Sequence, residues 1–194
     1  MSHADLLEAI WAAVPRDAEP ERFAVRRDWL LARVQPGERV LDLGCGAGEF
    51  AAALPGPVVA VDAAAEAVRR ARERGVDARH VPLDAPLPFA DDAFDVAWLG
   101  ETLEHLADPV GTLHEVRRVL QPRGRLLATT PDHPPELLHA LAGDPRAFAE
   151  HFSPRTDHVR FFNATSLREL LADLGFQDVE LDSDGTTLFA QARW

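Results

Sequence analysis

Two residue types are missing from the 194-residue chain: it has no lysine and no tyrosine, so all 20 basic residues are arginine. These absences exclude some chemistry outright. There is no P-loop lysine for a nucleotide's terminal phosphates, no amine for a Schiff base and no phenol for acid–base work. Proton transfer is left to histidine, carboxylates, water or the single cysteine, Cys45. One cysteine cannot form an internal disulfide and fits a reducing compartment. No secretory apolar segment occurs, and no apolar run approaches about 18 residues. A soluble cytoplasmic protein without a membrane partner is expected. Positive charge is also scarce: 32 acidic residues against 20 basic ones give a formal net charge of −12. Such a surface repels phosphate backbones, so nucleic acid is not the expected partner. Arg69, Arg70, Arg72 and Arg74 read as the solvated face of one helix.

What is present suffices for one domain, because 46% of the residues are hydrophobic. Two amphipathic helices come first, over 3–14 with Ser2 as cap and over 20–34 opened by Pro20. Residues 1–35 then form a helical cap on the unit 36–194, lying over the ligand cleft or simply covering the sheet. From there strands and helices alternate: strand 39–43, helix 47–54, strand 57–61, helix 64–74, strands 77–81 and 94–99, helix 109–120 and strand 124–130. Helix 165–174, with a capping box from Ser166 and Glu169, precedes strands 176–182 and 187–193. The pattern predicts an α/β fold: a doubly wound, mostly parallel seven-stranded sheet with a terminal hairpin. Residues 131–160 break the rhythm with five prolines and four histidines, and read as a segment covering the substrate.

The chemistry concentrates at Val40–Phe50, which reads Val-Leu-Asp-Leu-Gly-Cys-Gly-Ala-Gly-Glu-Phe, and at Asp62 after the next apolar run. A strand enters a loop with glycine at every second position, and a second strand ends in a carboxylate. Gly44, Gly46 and Gly48 let a ligand approach the main chain closely, and Asp62 can accept hydrogen bonds from both hydroxyls of a ribose. A dinucleotide loop requires G-x-G-x-x-G, yet position 49 is glutamate, which would repel a pyrophosphate in the first helical turn. Asp42 adds a second negative charge. Acids there suit a nucleoside with a cationic end, an ammonium or a sulfonium. Cys45 reads as a small filler within the loop.

Asp42, Gly44, Gly46 and Gly48 resemble motif I, D-x-G-x-G-x-G, of the class I S-adenosylmethionine-dependent methyltransferases. That resemblance extends over about residues 36–180 and implies the Rossmann-like methyltransferase fold. It implies S-adenosylmethionine as cofactor, S-adenosylhomocysteine as product and a small-molecule acceptor methylated on oxygen or nitrogen, the protein being a monomer or homodimer. Asp84-Ala85 with Leu87-Pro88-Phe89 is similar to the family's D-A-x-x-L-P-F segment, one residue shorter, which implies an adenine contact from Asp84 and from the Ala85 backbone. The implied cofactor set is Asp42, Gly44, Cys45, Gly46, Gly48, Asp62, Ala63, Asp84, Ala85, Leu99 and Glu101. Asp95, at the entry to the fourth strand, is assigned an orienting role and no chemistry.

Glu101-Thr-Leu-Glu104-His105-Leu resembles the E-x-x-E-H-L segment of small-molecule methyltransferases, including ubiquinone-pathway O-methyltransferases. A helix here would put Glu101, Glu104 and His105 on one face. Three readings stay open: His105 is a general base; Glu101, Glu104 and His105 hold a divalent metal with His158 or His133; or the acids favour a helix N-terminus and His105 packs beside the cofactor. Thr129-Thr130-Pro131-Asp132 is similar to T-T-P-N with Asp in place of Asn. Asp157-His158 resembles a D-H-x-x-x-F segment, with His158 facing substrate as a second catalytic candidate and Asp157 orienting the His158 imidazole. His3, His80 and His114 read as surface or satisfied core residues. The alternatives are metal-assisted 2′-O-methylation of an RNA 3′ end, a non-catalytic S-adenosylmethionine-binding protein and a nicotinamide-dependent oxidoreductase.

Overall fold

Near-continuous apolar runs, buried on both sides, build a sheet whose two faces are covered by different helices. The structure, a computed structural model, describes residues 3–83, 85–153 and 157–194. The expected cap Ser2 and the expected adenine contact Asp84 lie outside the described residues. In chain order the elements are α1 (His3–Ala13), α2 (Phe23–Leu31), β1 (Val40–Leu43), α3 (Glu49–Ala53), β2 (Val58–Asp62), α4 (Ala65–Glu73) and β3 (Asp77–His80). They continue with β4 (Phe94–Gly100), a 3-10 turn (Leu103–His105), α5 (Pro109–Val119), β5 (Leu120–Pro131), α6 (Pro135–Ala142) and α7 (Pro145–His151). The chain closes with α8 (Ala164–Asp173), β6 (Gln177–Ser183) and β7 (Thr187–Arg193).

The seven strands lie in the order β3-β2-β1-β4-β5-β7-β6. The first five pair in parallel, and β7 runs antiparallel to both β5 and β6. Leu41, Leu43, Ala97, Leu99 and Leu126 face Leu113 and Val116 of α5 and Leu167 and Leu171 of α8. Val40, Val96, Trp98 and Leu127 face Leu30 of α2 and Phe50 of α3. The sheet is therefore doubly wound. Because β1 lies between β2 and β4, its carboxyl end is the switch point where such sheets open a crevice. No helix among the described residues is long and apolar enough to cross a membrane.

The differences from expectation have local causes. The segment expected as helix 20–34 is ordered as α2 from Phe23, behind Arg22 at a left-handed φ of 54°. Strand β5 starts at Leu120 because Leu120 already pairs with Phe94, ahead of a register shift. The capping box of α8 is made by Asn163 and Ser166, not by Ser166 and Glu169: Ser166 N–H donates to Asn163 Oδ1 at 2.9 Å, and Asn163 N–H donates to Ser166 Oγ at 3.1 Å. The helix begins one residue earlier than its leucine spacing indicates, so Ser166 occupies the third position. The arginines of α4 are not a merely solvated face. Arg70 is buried and donates to the carbonyls of Trp11 and Val14, each at 2.9 Å, while Arg72 and Arg74 donate to the carbonyls of Ala78 and Ala47. They bind α1 and the glycine loop to α4.

Asn163→Ala removes the side-chain half of the α8 cap. It is expected to cost about 1 kcal/mol and to lower the thermal midpoint by about 2–4 °C. A calorimetric scan with an unchanged midpoint would contradict this assignment of the cap.

Candidate active site

The glycine loop leaves β1 under tight constraint. Gly44 and Cys45 both donate to the Val61 carbonyl, at 2.8 and 3.0 Å, which folds the loop over the end of β2. Gly44 has φ of 77°, and a Cβ there would lie 2.5 Å from Thr102 Oγ1, whose hydroxyl donates to the Leu43 carbonyl at 3.0 Å. Asp62 ends β2 and is buried. Its Oδ2 accepts from Gly46 N–H at 2.9 Å and its Oδ1 from Ala64 N–H at 2.8 Å. One carboxylate thus holds the loop in shape, and each oxygen keeps a further lone pair for a ligand hydroxyl.

Two clefts open at this edge, of about 300 and 170 Å³. Gly44, Gly46, Glu101 and His105 line both. The smaller also has Asp62 and Ala63 in its wall, and the larger has Cys45, Glu49, Arg26 and His158. Trp11 of α1 lines both clefts and stands between them, its ring so close to Gly46 that a Cβ there would meet it at 2.8 Å. Helix α1 thus lines the clefts through Trp11, while Leu30 of α2 packs onto the sheet.

Other expected cofactor residues sit further back. Leu99 is fully buried in the core, Ala85 is half-buried, and Gly48 packs toward Ala71 of α4. Asp42 lies beneath the loop, 1% exposed, and its Oδ2 has no hydrogen-bond partner among the described residues. Burial, followed by repulsion from Asp62, pushes its carboxyl up to about 8. Cys45 is buried as a filler, and burial pushes its thiol up as well.

At the end of β4, Glu101 adopts a left-handed φ of 54° and donates its N–H to the Thr129 carbonyl at 2.8 Å. Only Leu103–His105 is helical, as one 3-10 turn, so the expected one-face helix is not formed. The chain bends at Glu101 because the strand must leave the sheet above β5. Glu104 is 1% exposed. Its Oε2 accepts from Thr130 Oγ1 at 3.0 Å, while its Oε1 has no hydrogen-bond partner among the described residues and lies 3.9 Å from His105 Nε2. Burial and then repulsion from Glu101 hold the Glu104 carboxyl well above the usual range.

His105 and His158 meet edge to face, ring centroids 4.8 Å apart. Glu104, His105 and His158 each bring one ligand atom within 4.8 Å of the others. Glu101 stands outside this trio and faces Arg26 Nη1 at 3.7 Å. Asp157 faces His105 and not His158, as the residue order had implied: its carbonyl oxygen and its Oδ2 lie 3.2 and 3.4 Å from His105 Nδ1.

Arg26 was not legible as a site residue. It is 3% exposed, lies over the Phe50 ring and reaches the larger cleft from α2. Its only signal in the sequence is a charge beside apolar neighbours. His133 is buried against the Phe162 carbonyl and the rings of His151 and Phe161. Asp132 accepts from Ser183 Oγ. Asp95 accepts from Arg39 as an orienting residue, His80 contacts the Ala63 carbonyl, and His114 is exposed.

A crevice at the switch point of a doubly wound sheet, with a glycine loop tied to a buried carboxylate, defines a Rossmann-like α/β class. Comparison with known proteins is consistent with this class. Residues 16–181 match the family described as methyltransferase domain. A ubiquinone biosynthesis O-methyltransferase of Xanthomonas oryzae pv. oryzae is 34% identical over 170 residues, 80% of this chain and 70% of that protein. An uncharacterized 37.1 kDa protein in transposon TN4556 of Streptomyces fradiae is 39% identical over 126 residues, which span 60% of this chain and 36% of that protein. A chain of the complex between the Haloferax volcanii Trm112 methyltransferase activator and the putative methyltransferase superposes with a TM-score of 0.76 at 25% identity, covering 96% of both chains. The chain belongs to the methyltransferase domain family and is an S-adenosylmethionine-dependent methyltransferase.

Asp62→Ala is predicted to weaken S-adenosylmethionine binding by about 1.5–3 kcal/mol, about ten- to a hundredfold in Kd by titration calorimetry. A cofactor spanning both clefts must move the Trp11 ring off Gly46. Saturating S-adenosylhomocysteine should therefore shift tryptophan emission in the wild type but not in Trp11→Phe; identical responses in both proteins would refute the displacement. A carboxyl with a folded pKa near 8 and a reference value of 3.8 binds its proton more tightly when folded, so its ionisation erodes stability as pH rises from about 4 to 8. Asp42→Asn should accordingly raise the cofactor-free thermal midpoint more at pH 8 than at pH 5.

Proposed function

We propose that the protein methylates a hydroxyl of a small-molecule acceptor, with His105 as the general base. The carrying observation is that His105 lines both clefts, beside Glu101 at the junction where donor and acceptor would meet. The donor supplies a methyl group on a sulfonium, already electrophilic, so the chain's task is alignment, exclusion of water and removal of one proton. Asp62 takes the ribose hydroxyls. The loop Gly44–Gly48 admits the methionine chain against the backbone, with Arg26 opposite its carboxylate. The adenine role stays with Asp84 and Ala85, and the segment 131–160 covers the acceptor.

His105 Nε2 takes the acceptor's hydroxyl proton. The oxygen's electron pair then forms the new bond to the methyl carbon as the carbon–sulfur bond breaks, and its electrons leave on sulfur. The 34% identity to an O-methyltransferase supports oxygen as the atom methylated. The acidic balance and clefts of this size argue against an RNA 3′ end.

A second reading is favoured by the Glu104–His105–His158 trio, whose two imidazoles and buried carboxylate, with Glu104 Oε1 lacking a hydrogen-bond partner among the described residues, suit a divalent cation. A cation there would lower the acceptor's pKa and orient it. The two readings separate in one experiment, a radiolabelled methyl-transfer screen over hydroxylated metabolites before and after chelation. As base, His105→Ala should lower kcat about a hundredfold or more, and chelation should leave the wild type unaffected. Loss of turnover on chelation would transfer the role to the metal, and full turnover in His105→Ala would remove His105 from the chemistry. Cofactor binding without transfer to any acceptor would favour a non-catalytic protein.

A further inference from the structure

The end of the 131–160 segment is bolted onto the turn that carries His105. Val159 and Arg160 both donate their N–H groups to the Glu104 carbonyl, at 2.8 and 3.0 Å. This brings Asp157 over the far side of the His105 ring, where its carbonyl oxygen lies 3.2 Å and its Oδ2 3.4 Å from Nδ1. Both of those oxygens only accept hydrogen bonds when the side chain is ionised. Nδ1 must then be the donor, and in the neutral ring Nε2 carries the lone pair. Nε2 is the nitrogen on the Glu104 side, 3.9 Å from Oε1, and His105 lines the larger cleft.

We infer that Asp157 is a positioning residue for His105: its carbonyl and carboxylate oxygens both face Nδ1, which selects the tautomer protonated there and fixes the orientation of the ring. The inference rests on the reading of His105 given above. The same anchoring serves an imidazole that ligates a metal through Nε2, because such rings give their other N–H to a carboxylate or carbonyl. Asp157 also lines the smaller cleft beside Asp62 and Ala63. The residue that orients the base therefore touches the space the nucleoside fills, and the two halves of the site share one segment.

The test uses the full chain labelled with ¹⁵N-histidine and saturated with S-adenosylhomocysteine, so that it needs no acceptor. His105→Ala assigns the signal. The wild-type ring should carry a proton on Nδ1, with that proton far downfield. Asp157→Asn, which keeps the carbonyl and removes the charge, should leave the tautomer unchanged but move the proton upfield, and Asp157→Glu should restore part of the shift. A wild-type ring protonated on Nε2 alone, or an unmoved proton in Asp157→Asn with native thermal stability, would overturn the inference. With any acceptor found in the screen, Asp157→Asn should lower kcat about ten- to a hundredfold and leave the acceptor KM nearly unchanged. If Asp157→Asn moves the proton as expected while His105→Ala retains full turnover, the anchoring stands and the general-base reading is the one that fails.

Discussion

Four carboxylates gather at the carboxyl edge of the parallel strands, three of them nearly excluded from water: Asp42 below the glycine loop, Asp62 at the end of β2, and Glu101 and Glu104 at the end of β4. Burying negative charge in this way is costly unless something compensates it. Backbone N–H groups compensate Asp62, and a threonine hydroxyl serves one oxygen of Glu104. Arg26 lies opposite Glu101. Burial, with repulsion between neighbouring acids, raises the carboxyls of Asp42 and Glu104, so each holds a proton more tightly than a free acid does. The glycine loop, the left-handed Glu101 and the buried Arg26 gather around the field of this acidic edge.

The field also accounts for what the N-terminal helices do beyond covering apolar surface. Helix α2 packs Leu30 onto the sheet and carries Arg26 inward on the same face. Helix α1 is tethered by Arg70, and the Glu8 carboxylate accepts from Glu66 N–H at the start of α4. These tethers hold Trp11 at the boundary of the two clefts.

The sheet was legible because short apolar runs and helix spacing are local signals: all seven strands and the closing hairpin follow from them. The loop from Asp42 to Gly48 and the acid at Asp62 were legible because a backbone approached closely by a ligand leaves glycines at fixed intervals. Boundaries were less so. The cap of α8 moved to Asn163 because several polar residues competed for it, and β5 lengthened because its partner strand was there to pair with. Arg70 read as solvated, since nothing local indicates that α1 lies across it.

The histidine constellation was half legible. Glu104, His105 and His158 were named from motifs, but Asp157 had been given the wrong imidazole: adjacency pointed to His158, and the fold turns it toward His105. By itself the sequence determined the fold class, the cofactor and the set of groups able to move a proton, because these depend on residue type and spacing along one strand, loop or helix. Tertiary structure alone decided which carboxylates lost water, which guanidinium met them and which ring Asp157 faces. Those outcomes depend on segments about fifty or more residues apart arriving at one edge of the sheet, and no local pattern records such a meeting.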